Sequence, residues 1–243
     1  MGIVAYRKAE IRRPRPHLDQ AQVVRAGLAL LDEVGFDDLT MRRLAERLGV
    51  KAASLYRHVR NKEELLILLG DEISGEIPPL PAAGTWRSQL TEMACHVRRV
   101  LLAHRDAARV LVMTPPVGSR RLQQIEGLLR ILRSAGLSPR DAARAAHHCN
   151  NFLMEFVADE GRFQSFAASQ GTTVGKMLAQ ARKHFKSLPP DRFPTLVEMA
   201  DVLTEDDPDG LFRFGLDVWL DAIAVLAARH RAPAPRPHRP PPA

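Results

Sequence analysis

The segment TMRRLAERLGVKAASLYRHVRNK, residues 40–62, has the pattern of two short helices joined by a tight turn. Thr40 can cap the first helix, because its hydroxyl can accept hydrogen bonds from backbone N–H groups two or three residues further on. Gly49 stands where a helix commonly ends in a left-handed residue, a conformation that glycine adopts at little cost. A second helix over residues 52–59 follows, with Leu55 on its inner face. Helix, glycine turn and helix together form the helix-turn-helix pattern.

The outward-facing side chains of these two helices suit contacts with DNA. Small residues at the start of the second helix let the backbone approach base edges, and alanine methyls can meet thymine methyls. Arg42 can reach guanine or phosphate, and Tyr56, His58 and Lys62 offer donors that fix a protein on phosphates. The candidate DNA-binding residues are Thr40, Met41, Arg42, Ala52, Ala53, Ser54, Tyr56, Arg57, His58 and Lys62. On spacing alone, an ordinary pair of short helices with solvated charges stays open as the alternative.

The segment from Asp19 to about Ile73 resembles the DNA-binding domain of the TetR family of bacterial repressors. The matching residues are Gly35, Leu39-Thr40, Leu44-Ala45, Leu48-Gly49-Val50, Leu55-Tyr56-Arg57-His58-Val59 and Asn61-Lys62-Glu63-Glu64-Leu65. The run LYRHV followed by NKEEL is the most specific part of the match. Independently of the resemblance, a capping box at Asp19 and apolar spacing up to Gly35 predict a first helix, which completes a three-helix DNA-binding unit.

Composition points to an all-α protein. Hydrophobic residues make up 45% of the 243 residues and aromatic residues only 5%, with few alternating runs typical of strands. The net charge of +7 fits a partner that is a polyanion. Two cysteines, Cys95 and Cys149, fit a reducing compartment. Without a membrane-spanning run or a signal-peptide core, we expect a cytoplasmic protein with no membrane partner.

Proline-rich breaks divide the chain into four parts. We predict a disordered basic arm over residues 1–17, a helix-turn-helix domain over 18–77, a larger helical ligand-binding and dimerisation domain over 84–231, and a disordered Pro-rich tail over 232–243. The basic arm either reaches along the DNA or is a solvated tail. In the third part the predicted helices cover about 85–104, 106–113, 119–134, 139–160, 174–187, 195–204 and 208–231, with residues 161–175 irregular.

The last predicted helix is apolar around most of its circumference. Its apolar residues are Leu211, Phe212, Phe214, Leu216, Val218, Trp219, Ile223, Val225 and Leu226, and a narrow polar stripe holds Arg213, Asp217 and Asp221. Such a helix is buried on more than one side. We expect one side to face its own core and the other a second subunit, since helix-turn-helix proteins commonly bind paired half-sites. Two central helices of a monomeric bundle are the alternative.

The resemblance extends past the DNA-binding part, to the C-terminal domain of tetracycline repressors. It rests on Trp86, Leu101-Leu102-Ala103-His104-Arg105-Asp106, Thr114, Gly136-Leu137-Ser138 and Phe214-Gly215-Leu216. In those repressors the C-terminal helices form a dimer bundle and a drug pocket. By resemblance, the helices that begin at 139 and 208 supply the bundle.

The pocket chemistry of tetracycline repressors does not carry over. The histidine that holds the drug-bound magnesium aligns with Leu111, the polar and aromatic drug contacts align with Met93 and Val97, and the loop arginine aligns with Pro115. Acidic groups remain at Asp159-Glu160. The predicted ligand-binding residues are Met93, Val97, Leu111, Thr114, Pro116, Asn151, Met154 and Glu155. An apolar cavity with few polar anchors suits a hydrophobic or aromatic small molecule rather than magnesium–tetracycline.

Three further motifs carry no chemistry that we would predict. Successive helical residues point about 100° apart, so His147-His148-Cys149 cannot converge on one ion. A redox switch through the two cysteines lacks a basic, exposed thiolate environment. The run from Gly171 to Lys176 is one residue short of a phosphate loop and has no preceding strand. We expect no metal, no cofactor and no catalytic site.

The sequence thus predicts a bacterial, ligand-responsive transcriptional repressor. It would bind a palindromic operator in double-stranded DNA as a homodimer and be released by a small-molecule effector. The alternatives are a ligand-independent or activating regulator, a helical protein that only binds or sequesters a small molecule, and an enzyme with an unfamiliar site.

Overall fold

The structure, a computed structural model, describes residues 18–79 and 83–231, and throughout these ranges the regular elements are helices. They are α1 (Gln20–Asp38), α2 (Met41–Leu48), α3 (Ala52–Leu55), α4 (Lys62–Gly75), α5 (Trp86–Ala103), α6 (Ala107–Met113), α7 (Ser119–Ser134), α8 (Pro139–Ser169), α9 (Val174–Lys186), α10 (Pro194–Glu198) and α11 (Pro208–Arg231), with a 3₁₀ turn at Val202–Thr204. The predicted all-α class is confirmed. We call α1–α4 the head and α5–α11 the body. The predicted disordered arm 1–17 and tail 232–243 lie outside the described residues.

Side-chain caps set the beginnings of the head helices. Asp19 Oδ1 accepts from the backbone N–H of Gln22 at 2.7 Å, and Gln22 Oε1 accepts from that of Asp19 at 3.1 Å, which is the predicted capping box. The regular helix breaks at Gly35, where φ is 81° and ψ 175°, and the chain makes one more turn before α2. Thr40 Oγ1 accepts from the backbone N–H of Arg43 at 3.2 Å, and Asn61 Oδ1 accepts from that of Glu64 at 2.8 Å, so these side chains cap α2 and α4.

The second helix of the helix-turn-helix is shorter than predicted. Gly49 ends α2 in the left-handed region at φ 65°, as expected, but α3 is only four residues long instead of covering 52–59. The N–H groups of His58 and Val59 both donate to the carbonyl of Leu55, at 2.8 and 3.0 Å, so the chain tightens into a turn there. Leu55 and Val59 are both buried, which confirms the predicted inner face.

One continuous hydrophobic core runs through head and body. Helix α4 packs on α1 within the head and on α6 and α7 of the body, so it connects the two. In the body, α8 and α11 pack together and against α5. The segment 174–204 lies outside this core. Within the segment, the Arg182 guanidinium donates to the carbonyl of Thr204 at 2.9 Å.

Two expectations about the body helices were wrong. Helix α8 continues for 31 residues to Ser169 instead of ending near 160. The segment 195–204 is a five-residue helix and a 3₁₀ turn instead of one helix. Across 18–79 and 83–231, none of the helices combines the length and apolar content needed to cross a membrane.

Candidate DNA-binding surface and effector cavity

Most of the predicted DNA-binding residues lie together on the outer face of α2, α3 and the turn after α3. Ala52, Ala53 and Arg57 are exposed, and Ser54 and His58 are half-buried. Tyr56 is 51% exposed although it is a large aromatic residue. The side chain of Arg42 is 85% exposed, and its Nε lies 3.6 Å from Glu46 Oε1. The buried side chains Leu44, Ala45 and Leu55 lie on the inner face, so the outer face stays exposed to solvent.

Three of the predicted DNA contacts have roles inside the head. Thr40 Oγ1 accepts from the backbone N–H of Arg43 at 3.2 Å as the cap of α2. Met41 is half-buried against the core. Lys62 Nζ donates to the carbonyl of Phe36 at 3.0 Å and lies 5.1 Å from the centre of the Phe36 ring. The ammonium of Lys62 therefore holds the turn after Gly35 in place.

Two basic residues that the sequence reasoning missed flank the same face. Lys51 is exposed at the residue before α3. The side chain of Arg60 is 84% exposed, although its Nε is 3.1 Å from Glu64 Oε2. Hydrogen bonds from the backbone and side chain of Arg60 lower the pKa of Glu64. The signal for both was present in the sequence, because Lys51 and Arg60 stand directly before and after the predicted second helix over residues 52–59.

Polar contacts join the head to the turn between α5 and α6. Asp106, in the left-handed region at φ 58°, accepts from the backbone N–H of Phe36 at 2.8 Å. The backbone N–H of Arg105 donates to Asp32 at 3.0 Å, and its guanidinium donates to the carbonyl of Glu33 at the same distance. These contacts fix the end of α1 against the body, so a shift of α6 would be passed to the head.

A second connection runs through the half-buried guanidinium of Arg121. It donates to the carbonyl of Leu111 at 2.5 Å and to the carbonyl and Oγ1 of Thr114, both at 3.0 Å. The backbone N–H of Arg121 donates to Asp71 of α4 at 3.0 Å. Burial lowers the pKa of Arg121. The end of α6, the start of α7 and α4 are thereby held at one point.

The predicted ligand-binding residues do not all meet around one cavity. Met93, Val97, Leu111, Met154 and Thr114 are buried in the body. The hydroxyl of Thr114 also donates to the carbonyl of Val110, at 2.7 Å.

The other three predicted ligand-binding residues lie at the surface. Pro116 is exposed on the loop after α6. Asn151 is exposed and bonds to His147 at 3.1 Å, and Glu155 is exposed and bonds to Arg162 at 2.7 Å.

Two cavities lie on either side of α6 and α7. The larger, about 1100 Å³, lies between the α5–α6 turn, α6 and the C-terminal half of α8, and contains Met154 and Glu155 from the predicted set. Sequence reasoning missed its other apolar side chains, among them Val112, Met113 and Phe166. The smaller, about 430 Å³, lies between the end of α4 and α7 beside Ile77 and Gln124.

The acidic residues kept near the end of α8 have partners already. Glu160 accepts from the Arg98 guanidinium at 3.1 Å, and Asp209 accepts from it at 2.6 Å. The guanidinium also lies 4.9 Å from the centre of the Phe212 ring. Asp159 binds Arg162 at 2.9 Å. Both carboxylates are thus engaged in ion pairs.

The cysteines differ sharply in their surroundings. Cys149 is buried, and burial raises the pKa of its thiol to about 12, whereas Cys95 is exposed. In the part of the chain that the structure describes, no three His, Cys, Asp or Glu side chains are grouped as metal ligands.

Helix α11 has two apolar faces, as predicted. One faces the core through Phe212, Leu216, Leu220, Ile223 and Ala227. The other is exposed and consists of Leu211, Phe214, Val218 and Val225. The polar stripe lies beside α5, where Arg87 binds Asp221 at 2.7 Å and Asp217 at 3.3 Å.

Known proteins match both halves of the chain. A family model described as bacterial regulatory proteins of the tetR family matches residues 23–69, and one described as the tetracyclin repressor-like C-terminal domain matches residues 78–227. Tetracycline repressor protein class A from transposon 1721 of Escherichia coli is 38% identical over 205 residues, which cover 83% of this chain and 88% of the relative.

Solved structures match over similar lengths. ActR of Streptomyces coelicolor in complex with actinorhodin is 35% identical with a TM-score of 0.77, over 85% of this chain and 95% of that chain. BioQ with its natural double-stranded DNA operator is 27% identical with a TM-score of 0.62, over 86% and 99%. Matches across both domains define a DNA-binding transcriptional regulator with a ligand-binding domain. The chain belongs to the TetR family of bacterial regulators, which confirms the resemblance seen in the sequence.

Proposed function

We propose that this regulator is a repressor that binds a palindromic operator as a homodimer in the bacterial cytoplasm and is released by a small hydrophobic effector. The observation that carries the proposal is the exposed outer face of α2 and α3. Arg42 and Tyr56 project from it without a packing role, and the small residues Ala52 and Ala53 allow close approach to base edges. The BioQ relative, solved with a double-stranded operator, supports DNA as the partner.

The proposed dimer rests on the exposed apolar face of α11. Phe214 is 72% exposed and Leu211 61%, and these side chains recur at helical spacing with Val218 and Val225. A contiguous apolar surface of this kind marks a protein–protein contact. A second copy is the partner that a palindromic site requires, because each half-site takes one reading helix about one DNA turn from the other.

The proposed effector is hydrophobic or aromatic and is not magnesium–tetracycline. Leu111 is buried, and its isobutyl group cannot ligate a metal. The larger cavity is lined by apolar side chains, among them Val112, Met113 and Phe166, and by charged ones, among them Asp37, Arg109, Glu155 and Arg162, so its apolar walls stand beside several polar anchors. ActR, similar over most of the chain, was solved with actinorhodin, which supports a small organic effector.

Induction would be a shift between two positions of the head. A ligand can cause it only by binding the DNA-incompetent state more tightly than the competent one. The contacts of Asp106 with Phe36 and of Arg121 with Asp71 supply routes from α6 to the head. Those contacts favour a regulator over a protein that merely stores a ligand, since storage needs no connection to a reading head.

Operator binding is tested with the full-length protein and labelled duplexes from upstream of its own gene. At about 150 mM salt, fluorescence anisotropy should show a preference over a scrambled duplex of roughly 1000-fold or more. Equal affinity for both duplexes would reject the repressor and favour the sequestering alternative.

Effector release is tested by a thermal-shift screen of apolar and polycyclic compounds, followed by the same anisotropy assay. A compound that raises Tm should weaken operator binding by at least about tenfold, which corresponds to about 1.4 kcal/mol of coupling. Unchanged operator affinity at saturation with every bound compound would reject ligand control.

A further inference from the structure

His104 lies at the boundary between head and body. It is the residue after α5, and its side chain is only 13% exposed. Its Nδ1 is 3.1 Å from Asp32 Oδ2 of α1, and its Nε2 is 3.0 Å from Glu76 Oε2 at the end of α4. A neutral imidazole can donate from only one of its two nitrogens, whereas a protonated one donates from both. Two carboxylate partners therefore match the protonated ring.

The other charged groups around this point have different partners. Arg105 and Asp106 of the same turn bind the backbone of Glu33 and Phe36. Arg120 of α7 binds Glu72 of α4. The charged side chains that face His104 are thus the two carboxylates of the head.

We propose that His104 is a pH-dependent latch that holds the DNA-binding head against the body when its imidazole is protonated. The latch is a property of the folded chain, and two of its residues, His104 and Asp32, also line the larger cavity. It connects the body to α1 and α4, the two helices of the head that stand before and after the helix-turn-helix in the chain.

The direction of the pH dependence follows from the contacts. Burial alone would lower the pKa of His104, but the hydrogen bonds and charges of Glu76 and Asp32 outweigh it, and the pKa is raised above its ordinary value of 6.5. A raised pKa in the folded state means that the latch is complete below about pH 6.5 and is lost as the pH rises through the folded-state value. The change therefore lies above pH 6.5.

The experiment compares amide hydrogen exchange of the full-length wild type with His104→Gln and His230→Gln between pH 6 and 9. Exchange rates are divided by the intrinsic rate at each pH. His230 is the matched control, because its Nε2 lies 2.7 Å from a carboxylate, Asp141 Oδ2, within the body. In the wild type and in His230→Gln, protection of residues 31–39 and 104–109 should fall several-fold as the pH rises, by up to about tenfold for each unit by which the pKa is raised.

His104→Gln should show lower protection at pH 6 and no dependence on pH. A wild type without pH dependence, or the same dependence in His104→Gln, overturns the latch. Direct NMR titration of the wild-type imidazole keeps the test decisive should the variant fold poorly. The midpoint should lie above 6.5 and should decrease in Asp32→Asn, and a wild-type midpoint at or below 6.5 overturns the proposal.

Discussion

Arg109 of α6 and Asp37 at the end of α1 form a bidentate ion pair, with Nη1–Oδ2 at 2.8 Å and Nη2–Oδ1 at 2.7 Å. The guanidinium also covers the ring of Phe36, 4.2 Å from its centre. The pair therefore connects the helix nearest the larger cavity with the last turn before the helix-turn-helix. Bidentate geometry holds the two helices in one relative orientation, which a single bond would not.

Removing this pair should weaken the contact between head and body in a salt- and pH-dependent way. The hydrogen bond from Arg109 lowers the pKa of Asp37 below 3.8. The contribution of the pair is thus present above the unfolded-state pKa and is lost as the pH falls through the folded-state value. A double-mutant cycle with Asp37→Asn and Arg109→Gln, measured by urea unfolding, should show favourable coupling at pH 7 in low salt. The coupling should shrink in 1 M salt and as the pH falls below 3.8.

The control for that cycle is Arg144 with Asp141, a looser pair within the body at 3.9 Å. Its coupling should be near zero under all conditions. Equal coupling for the two pairs would contradict a special role for the Arg109–Asp37 contact.

Arg42→Ala and Tyr56→Ala should each abolish operator binding while leaving stability and effector affinity unchanged. Neither side chain packs in the core, and substitutions at such surface positions usually change stability by less than about 0.5 kcal/mol. Anisotropy with operator DNA and thermal unfolding measure the two effects separately. Arg144→Ala removes an equally charged, 69% exposed side chain from the body and should leave both unchanged. Loss of binding in that control would indicate a general charge effect.

Gly35→Ala should destabilise the protein, whereas Gly161→Ala should stabilise it. At Gly35 the backbone has φ 81°, and an added Cβ would lie 2.9 Å from Asp106 Oδ2. Such a left-handed conformation costs a residue with a side chain on the order of 1–3 kcal/mol. At Gly161, inside α8, an added Cβ meets nothing within 4 Å, and alanine favours a helix by about 1 kcal/mol.

Urea unfolding of the two alanine variants checks both signs. A stabilised Gly35→Ala would show that the break after the regular part of α1 is not required. A destabilised Gly161→Ala would argue against a continuous α8.

Phe214→Glu should convert the proposed dimer into a monomer. Phe214 is 72% exposed in a single copy, so a glutamate at this position is solvated in the monomer. It would be buried, at a cost in free energy, only where a second copy covers it. Light scattering after size-exclusion chromatography gives the mass. The control is Leu122→Glu. Leu122 lies on α7 and is 48% exposed, and this variant should remain dimeric. A monomeric wild type, or a Phe214→Glu variant that stays dimeric, would contradict α11 as the interface.

Local signals predicted the head well, and long-range contacts explain what sequence reasoning missed. The cap at Asp19, the left-handed Gly49 and the buried Leu55 are each set within a few residues, so their pattern is readable. The partnership of Phe36 with Asp106 joins residues 70 positions apart, and no local pattern indicates it. The same holds for Lys62. From the sequence its ammonium could bind a DNA phosphate or a group of the protein, and only the fold brings it to the Phe36 carbonyl.

The length of α8 could not be predicted because a glycine, which disfavours helices, stands next to an arginine whose ion pairs support the helix. Gly161 stands directly after the predicted end at 160, yet glycine inside a helix costs only about 1 kcal/mol. Arg162 offsets that cost by binding Glu155 and Asp159 on the preceding turns, at 2.7 and 2.9 Å. The ligand-binding residues stay a prediction for a related reason: alignment by resemblance does not tell whether Asn151 and Glu155, which are exposed, lie around the same cavity as the buried Met93.

The contrast between the two cysteines makes the chain suitable for site-selective labelling without mutagenesis. With the Cys149 thiol buried and protonated at neutral pH, a maleimide reagent reacts with Cys95 alone. Cys95 lies on α5, the helix that packs on α8 and α11 and leads into the turn that meets the head. A fluorophore or spin probe attached there would report movements of the body directly in the native sequence.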